Sequence, residues 1–177
     1  MNNYNEKIRE ISLKLLQNNE VEKVIGFCQG SLPTATQPIA VTSEKDVDKL
    51  IFNSRCGINL ANYLRDQKEK VAVIAKGCDS RNIVTHVIEN QVKRDQLYII
   101  GVPCTGMVDK HKLADLFDDD IISYSENENQ ITVSSDTKTE TIEKQDLLKE
   151  NCRYCLHRNP VIYDELAGDL VEEQSLE

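Results

Sequence analysis

Two continuous apolar runs give the clearest structural signal in the chain. Val71–Ala75 and Leu97–Val102 are rich in β-branched residues, which is typical of strands buried in a parallel sheet. Between them, residues 80–93 place apolar side chains at helical spacing, namely Ile83, Val84, Val87, Ile88 and Val92, after a natural N-cap at Asp79 or Ser80. Strand, helix and strand within about 30 residues predict a βαβ unit.

Shorter patterns flank this unit. On the N-terminal side they predict a helix over 4–18, a strand over 24–28, an edge strand over 38–41 that contains Pro38, and helices after Ser43 and around 58–64. Residues 107–117 suit one more helix. Three short strands at 121–124, 131–133 and 139–142, separated by polar turns, predict a small antiparallel meander. The predicted fold is therefore α/β, with a parallel βαβ core and an antiparallel β meander.

Charge and length then limit the function. The 177 residues suit one α/β domain over 1–163, and the net charge of −9 disfavours binding to nucleic acid. Residues 164–177 hold six acidic side chains and no Lys or Arg, which indicates an acidic tail, or the point where a longer protein has been cut. No apolar run reaches the ~20 residues of a membrane span, and no signal peptide precedes the domain, so we expect a cytoplasmic protein with reduced thiols.

Cysteines become the main chemical feature in such a compartment. The chain has six, at positions 28, 56, 78, 104, 152 and 155. Cys78 and Cys104 each follow the carboxyl end of a predicted buried strand, so the two thiols should emerge at the same edge of a parallel sheet. Helices beginning just after each cysteine would stabilise thiolates or an anionic cluster through their N-terminal dipoles.

Cys152 and Cys155 form a C-x-x-C pair, which is half of a metal site. Cys78 and Cys104 are the natural second half. The spacing leaves three uses open: a [4Fe-4S] cluster, a structural zinc ion, or a reversible disulfide in a regulatory module. Cys28 is interpreted as a core residue, and Cys56 as a reserve ligand.

Basic residues surround these thiols in the sequence. Lys76, Arg81, Arg153, His157 and Arg158 would lower thiol pKa values and offset the negative charge of a cluster. Asp79 suits a helix cap better than a catalytic acid.

Several of these segments together resemble the coenzyme F420 hydrogenase/dehydrogenase beta-subunit family. The similarity extends over residues 50–170 and is greatest to a ferredoxin-like branch associated with hydrogenase and heterodisulfide reductase systems. The segments that carry it are Lys76-Gly77-Cys78-Asp79-Ser80-Arg81, Gly101-Val102-Pro103-Cys104-Thr105-Gly106 and Cys152-Arg153-Tyr154-Cys155, with Asn159-Pro160, Tyr163-Asp164 and Gly168-Asp169.

The resemblance implies an iron–sulfur electron-transfer module from an anaerobe, a component of an oxidoreductase whose partner is a redox subunit or a ferredoxin-type domain. It implies Cys78, Cys104, Cys152 and Cys155 as cluster ligands. The adjoining motif residues Lys76, Gly77, Asp79, Arg81 and Arg153 are expected to contact the cofactor. Members of this branch usually continue into a cysteine-rich segment, and F420-linked members have a longer flavin-binding part. This sequence stops at Glu177, so it is either part of a longer protein or dependent on another subunit, which leaves flavin binding open.

Overall fold

A computed structural model describes residues 4–173 and shows an α/β fold with two sheets. The helices are α1 (Tyr4–Gln17), α2 (Gly77–Ile88), α3 (Lys110–Ala114) and α4 (Glu150–Arg153), with short 3-10 turns at Glu44–Lys49, Leu60–Tyr63, Arg94–Gln96 and Lys144–Leu147. The strands are β1 (Lys23–Gln29), β2 (Thr36–Val41), β3 (Val71–Ala75), β4 (Leu97–Gly101), β5 (Ser123–Glu126), β6 (Gln130–Ser134), β7 (Thr139–Glu143) and β8 (Glu165–Leu166).

The larger sheet is mostly parallel and has the order β2-β1-β3-β4-β8. β3 lies at its centre and every residue of it is buried, as its unbroken apolar sequence predicts. β4 pairs with it in parallel, so the predicted βαβ unit is confirmed. β2 is antiparallel to β1 and lies at the edge, where Pro38 costs no hydrogen bond inside the sheet.

The second sheet is the predicted meander, in which β5, β6 and β7 pair antiparallel in chain order. Its strands alternate, and the inward side chains Ile131 and Val133 are fully buried. They pack on a small separate core that also contains Val108, Leu113 and Phe117. The meander is therefore anchored to the segment that follows β4.

Helix boundaries differ from the sequence prediction at the two cysteines of the core. α2 begins at Gly77 with Lys76 as its N-cap, so Cys78 lies inside the first helical turn. Asp79 and Ser80 are not N-caps, although the Asp79 carboxylate accepts the N–H of Lys76 from its position as third residue of the helix. The helix predicted over 107–117 is only Lys110–Ala114, so none begins directly after Cys104. Gly106 has a φ of 110°, which turns the chain away from a helix at this point.

Two other predicted helices are short 3-10 turns, and α2 ends before its predicted last turn. Ser43 does accept a hydrogen bond from the N–H of Lys45, as a cap should, but only six residues follow in helical form. Ile88, expected on the buried face of α2, is 74% exposed because the helix ends there.

The acidic segment begins within the sheet. β8 pairs in parallel with β4, and the carboxylate of Asp164 accepts hydrogen bonds from the N–H of Ile99 and from Arg94, each at 2.7 Å. Residues 174–177 of this segment lie outside the described residues. Over 4–173, no helix has the length and apolar character needed to cross a membrane.

Candidate functional site

The register of β3 and β4 brings Cys78 and Cys104 to one edge of the sheet. Ala75 lies opposite Gly101, and the N–H of Val102 donates to the Ala75 carbonyl at 2.9 Å. Each cysteine follows three residues after this last paired position. The expectation that the two strands are parallel neighbours is therefore met, and both thiols leave the sheet at its carboxyl edge.

The C-x-x-C pair reaches the same edge through two backbone connections. The N–H of Asp109 donates to Leu147 O, and the N–H of Lys149 donates to Met107 O, so the start of α4, which carries Cys152, lies against the chain that follows Cys104. After Cys155, the Arg158 carbonyl accepts a hydrogen bond from the N–H of Cys104 at 3.0 Å. We call Cys78, Cys104, Cys152 and Cys155 the cysteine edge.

The start of α2, which carries Cys78, makes a close contact with the loop after Cys155 at Gly77. A Cβ atom at this position would lie 2.8 Å from the carbonyl oxygen of His157 and 3.0 Å from that of Asn159. Backbone atoms cannot give way as a flexible side chain does. Glycine therefore allows the loop after Cys155 to pack directly on the start of α2, which holds Cys78.

Three thiols of the cysteine edge influence one another electrostatically. Burial, with a smaller contribution from negative charge on Cys78 and Cys152, raises the pKa of Cys104 to about 11. The N–H of Gly106, which points to its Sγ at 3.4 Å, opposes this rise. Burial also raises the pKa of Cys78, and charge on Cys152 adds to that rise. The thiol of Cys155 donates to the carbonyl of His157 at 3.3 Å.

These thiols are not arranged around a single ion. Within residues 4–173, no three side chains of the His, Cys, Asp or Glu type are grouped closely enough to hold one metal ion.

Lys76 and Asp79 form a fully buried ion pair behind Cys78. Lys76 Nζ lies 2.8 Å from Asp79 Oδ2 and also donates to the carbonyl of Ile58 at 2.8 Å. Asp79 accepts the N–H of Lys76 at 3.1 Å and that of Leu60 at 3.2 Å. Burial raises the pKa of Asp79, and the ammonium of Lys76 opposes this. The pair therefore fixes the first turn of α2 to residues 58–60 and leaves neither charge in contact with solvent.

The other motif residues occupy different positions at the site. Arg81 is half-buried and donates to the carbonyls of Gly77, at 2.9 Å, and His157, at 3.5 Å, so its charge lies between Cys78 and the loop after Cys155. Arg153 is exposed within the C-x-x-C sequence. Lys76 and Asp79 are thus buried and paired with each other, Gly77 and Arg81 contact the loop after Cys155, and the assignment of these residues to a cofactor stays a prediction.

Cys56 and Cys28 occupy other positions. Cys56 is fully buried in the main core, where its Sγ accepts the N–H of Asn53 at 3.4 Å, and burial raises its pKa to about 11. Cys28, expected in the core, is only half-buried, since it lies near the end of β1 opposite Gln37 of the edge strand β2.

A wide cleft adjoins the cysteine edge, and no local sequence pattern predicts it. Its volume is about 1370 Å³. Residues next to the cysteines form one wall, including Thr105, Gly106, Arg153 and Tyr154, and the β5–β6 turn at 126–129 forms part of another. It depends on how the meander sits against the core, which local patterns do not specify.

A polar cluster holds the meander in that position. The carboxylate of Glu126 accepts the N–H of Ser54 at 3.0 Å, the hydroxyl of Tyr124 at 2.6 Å, and the hydroxyl of Ser54. Burial favours the neutral form of Glu126, but these hydrogen bonds outweigh it and lower the pKa. Arg55 lies over the Tyr124 ring at 4.4 Å. The cluster therefore connects β5 to the core at one wall of the cleft.

The chain is similar to known redox proteins in sequence and in fold, although no family model matches it. A curated relative, the F420-dependent formate dehydrogenase 1 subunit beta of Methanococcus maripaludis, is 32% identical over 99 residues, which cover 53% of this chain. The match spans only a quarter (25%) of that relative's length.

A solved structure has a similar fold. It is the xenon-derivatized F420-reducing [NiFe] hydrogenase complex from Methanosarcina barkeri. One chain of that structure matches with a TM-score of 0.65 at 14% sequence identity. The match covers 88% of this chain and 62% of that one. The resemblance based on the cysteine motifs is therefore confirmed, and the chain is similar to the beta-subunit family of F420 hydrogenases and dehydrogenases.

Proposed function

We propose that the chain binds one [4Fe-4S] cluster through Cys78, Cys104, Cys152 and Cys155 and relays electrons inside a larger redox complex. The observation that carries this proposal is the cysteine edge itself, where chain segments that carry thiols up to 77 positions apart in the sequence are joined by backbone hydrogen bonds beside the sheet. Its partner would be a redox subunit or a ferredoxin-type domain, since both relatives are named as parts of F420-linked oxidoreductases.

The donor set fits an iron–sulfur cluster. Four thiolates suit either iron–sulfur clusters or zinc. A four-iron cluster is larger than one ion, so its ligands stand farther apart than those of zinc. The similarity to the beta subunit of an F420-dependent formate dehydrogenase favours the redox cluster over a structural zinc. When bound, the cluster would take up and release one electron at a time.

Residues around the thiols would stabilise such a cluster. The N–H of Gly106 already points to Cys104 Sγ, and hydrogen bonds to sulfur stabilise negative charge there. The positive N-terminal end of α2 faces Cys78, and the guanidinium of Arg81 lies beside it. Because burial raises the pKa values of Cys78 and Cys104, loading must release their protons and is favoured as the pH rises.

The cleft beside Cys104 favours a flavin as a second cofactor. Its volume of about 1370 Å³ leaves room for a molecule of that size, and it is lined by both apolar and amide side chains such as Phe52, Asn53 and Met107. A flavin held there would lie next to the cysteine edge, where an electron has a short path. Flavin retained after gel filtration in stoichiometric amount supports this second candidate, and its loss after reconstitution contradicts it.

Anaerobic purification followed by metal and sulfide analysis tests the cluster. We expect a brown protein with about four iron and four sulfide per chain, and an EPR signal on reduction. One zinc per chain without sulfide would instead establish the zinc-stabilised interaction domain. A colourless, metal-free protein after anaerobic reconstitution, whose free thiol count falls on oxidation, would point to the disulfide module.

A further inference from the structure

Residues 169–173 fold back as a strap onto the loop that follows Cys155. The side chain of Asn159 holds the strap at two points, since its Oδ1 accepts the N–H of Val171 at 3.0 Å and its Nδ2 donates to the Val171 carbonyl at 2.7 Å. An asparagine side chain thereby pairs with the strap as a neighbouring strand would. The contact fixes the strap beside the cysteine edge.

The strap places an acidic side chain on basic groups. Glu173 accepts the N–H of Asn159 at 2.8 Å, and its Oε2 lies 4.0 Å from His157 Nδ1. The N–H groups of Asn159 and Arg158 lower the pKa of Glu173, and the charges of His157 and Arg81 act in the same direction. The carboxylate therefore lies beside His157, in the loop after Cys155, and within the influence of Arg81 on α2.

Further basic and apolar groups extend this surface. Arg153 is exposed, and Tyr154 beside it is 69% exposed although it lies between two cysteines. Arg153, Tyr154 and Arg158 line the cleft together with Val171 and Glu172 of the strap. The acidic side chains of the same cleft come from the meander, at Glu126, Glu128 and Glu143, and from the strap itself, at Glu172. On the side of the cysteine edge the charged groups are therefore basic, and with Tyr154 they are complementary to an acidic protein segment.

We infer that this basic surface docks an acidic segment of a partner protein, and that the strap is an internal competitor which the partner displaces. The inference rests on the proposed function only for the redox character of the partner, because the charge contacts exist whatever the thiols bind. Displacement of the strap would remove the Glu173 carboxylate from beside His157 and the Arg158 N–H, and from the field of Arg81, while the partner comes close to the cysteine edge. Docking and access to the thiols would then be coupled.

Fluorescence anisotropy with a fluorescein-labelled polyglutamate peptide tests this inference on the full chain. Glu173→Gln should tighten peptide binding by roughly two- to fivefold, the range of a surface charge contact, and salt should abolish the difference. Asp169→Asn removes the same charge from the other end of the strap and serves as the matched control, with a smaller effect. Asn159→Ala, which releases Val171, should act in the same direction as Glu173→Gln.

Adding Arg153→Gln to the Glu173→Gln variant should weaken peptide binding again. Equal effects of Glu173→Gln and Asp169→Asn would overturn the strap as competitor, because only overall charge would then matter. Binding of oligodeoxythymidine as tight as that of polyglutamate would overturn the acidic protein partner. Iron and sulfide content, measured on the same samples, reports on the cluster separately, so peptide binding without iron contradicts the proposed function alone.

Discussion

Lys76 Nζ lies 2.8 Å from Asp79 Oδ2 in the interior of the fold, with Cys78 between the two residues in sequence. The ion pair joins the N-cap and third residue of α2 and also binds the backbone at Ile58 and Leu60. The sequence motif around Cys78 therefore contains both the thiol and the ion pair that fixes the helical turn on which the thiol lies.

Lys76→Met should be strongly destabilising, since it leaves the Asp79 carboxylate buried without its cation. Removal of one partner of a buried pair costs about 3–5 kcal/mol, whereas replacing both partners with apolar residues is often close to neutral. We expect the double variant Lys76→Met/Asp79→Leu to recover much of the loss. Urea unfolding of the three proteins measures this, and a double variant no more stable than the single one would contradict it.

Gly77→Ala should disrupt the cysteine edge, because the new Cβ meets the backbone carbonyls of His157 and Asn159. We expect a loss of about 1–3 kcal/mol in unfolding free energy and weaker retention of iron. Gly57→Ala is the matched control, since its Cβ would meet only the mobile end of the Lys149 side chain at 2.8 Å. Equal behaviour of the two variants would show that the close approach at Gly77 is not required.

Cys104→Ser should remove the cluster, and Cys28→Ser should retain it. Both changes replace one half-buried thiol with a hydroxyl, but only Cys104 lies at the cysteine edge. Iron and sulfide per chain, with the visible absorbance of anaerobic samples, distinguish the variants. The ligand assignment fails if Cys28→Ser bleaches the protein while Cys78→Ser and Cys104→Ser leave it brown.

Glu126→Gln should loosen the meander and change the acid stability of the protein. The folded pKa of Glu126 is below its ordinary value of 4.5, so its stabilising contribution is present above that pH and is lost as the pH falls further. The variant should lose about 1–3 kcal/mol at neutral pH and show a flatter decline in acid.

Glu140→Gln, in the exposed β7 strand of the same meander, is the control for this change. Chemical unfolding at a series of pH values measures both variants. An unchanged acid profile for Glu126→Gln would mean that the Ser54–Glu126 contact does not hold the two sheets together.

Much of the fold followed from local patterns. The buried strands β3 and β4 were predicted because uninterrupted β-branched runs have few other stable environments, and the meander because its strands alternate. Helix ends were less accurate: the prediction missed the start of α2 at Gly77 and the turn at Gly106, where capping and a positive φ decide the path.

For the site, the sequence by itself determined which side chains are available: four thiols, their basic neighbours, and two strands whose parallel pairing brings Cys78 and Cys104 to one edge. Only the tertiary structure decided that Lys76 and Asp79 face inward, that the loop after Cys155 packs on Gly77, that a cleft opens beside Thr105 and that the strap brings Glu173 to within 4.0 Å of His157. The physical reason is that periodicity and spacing report on contacts a few residues apart, whereas these features depend on contacts between segments distant in the chain, whose approach is set by packing and by the pairing of buried polar groups.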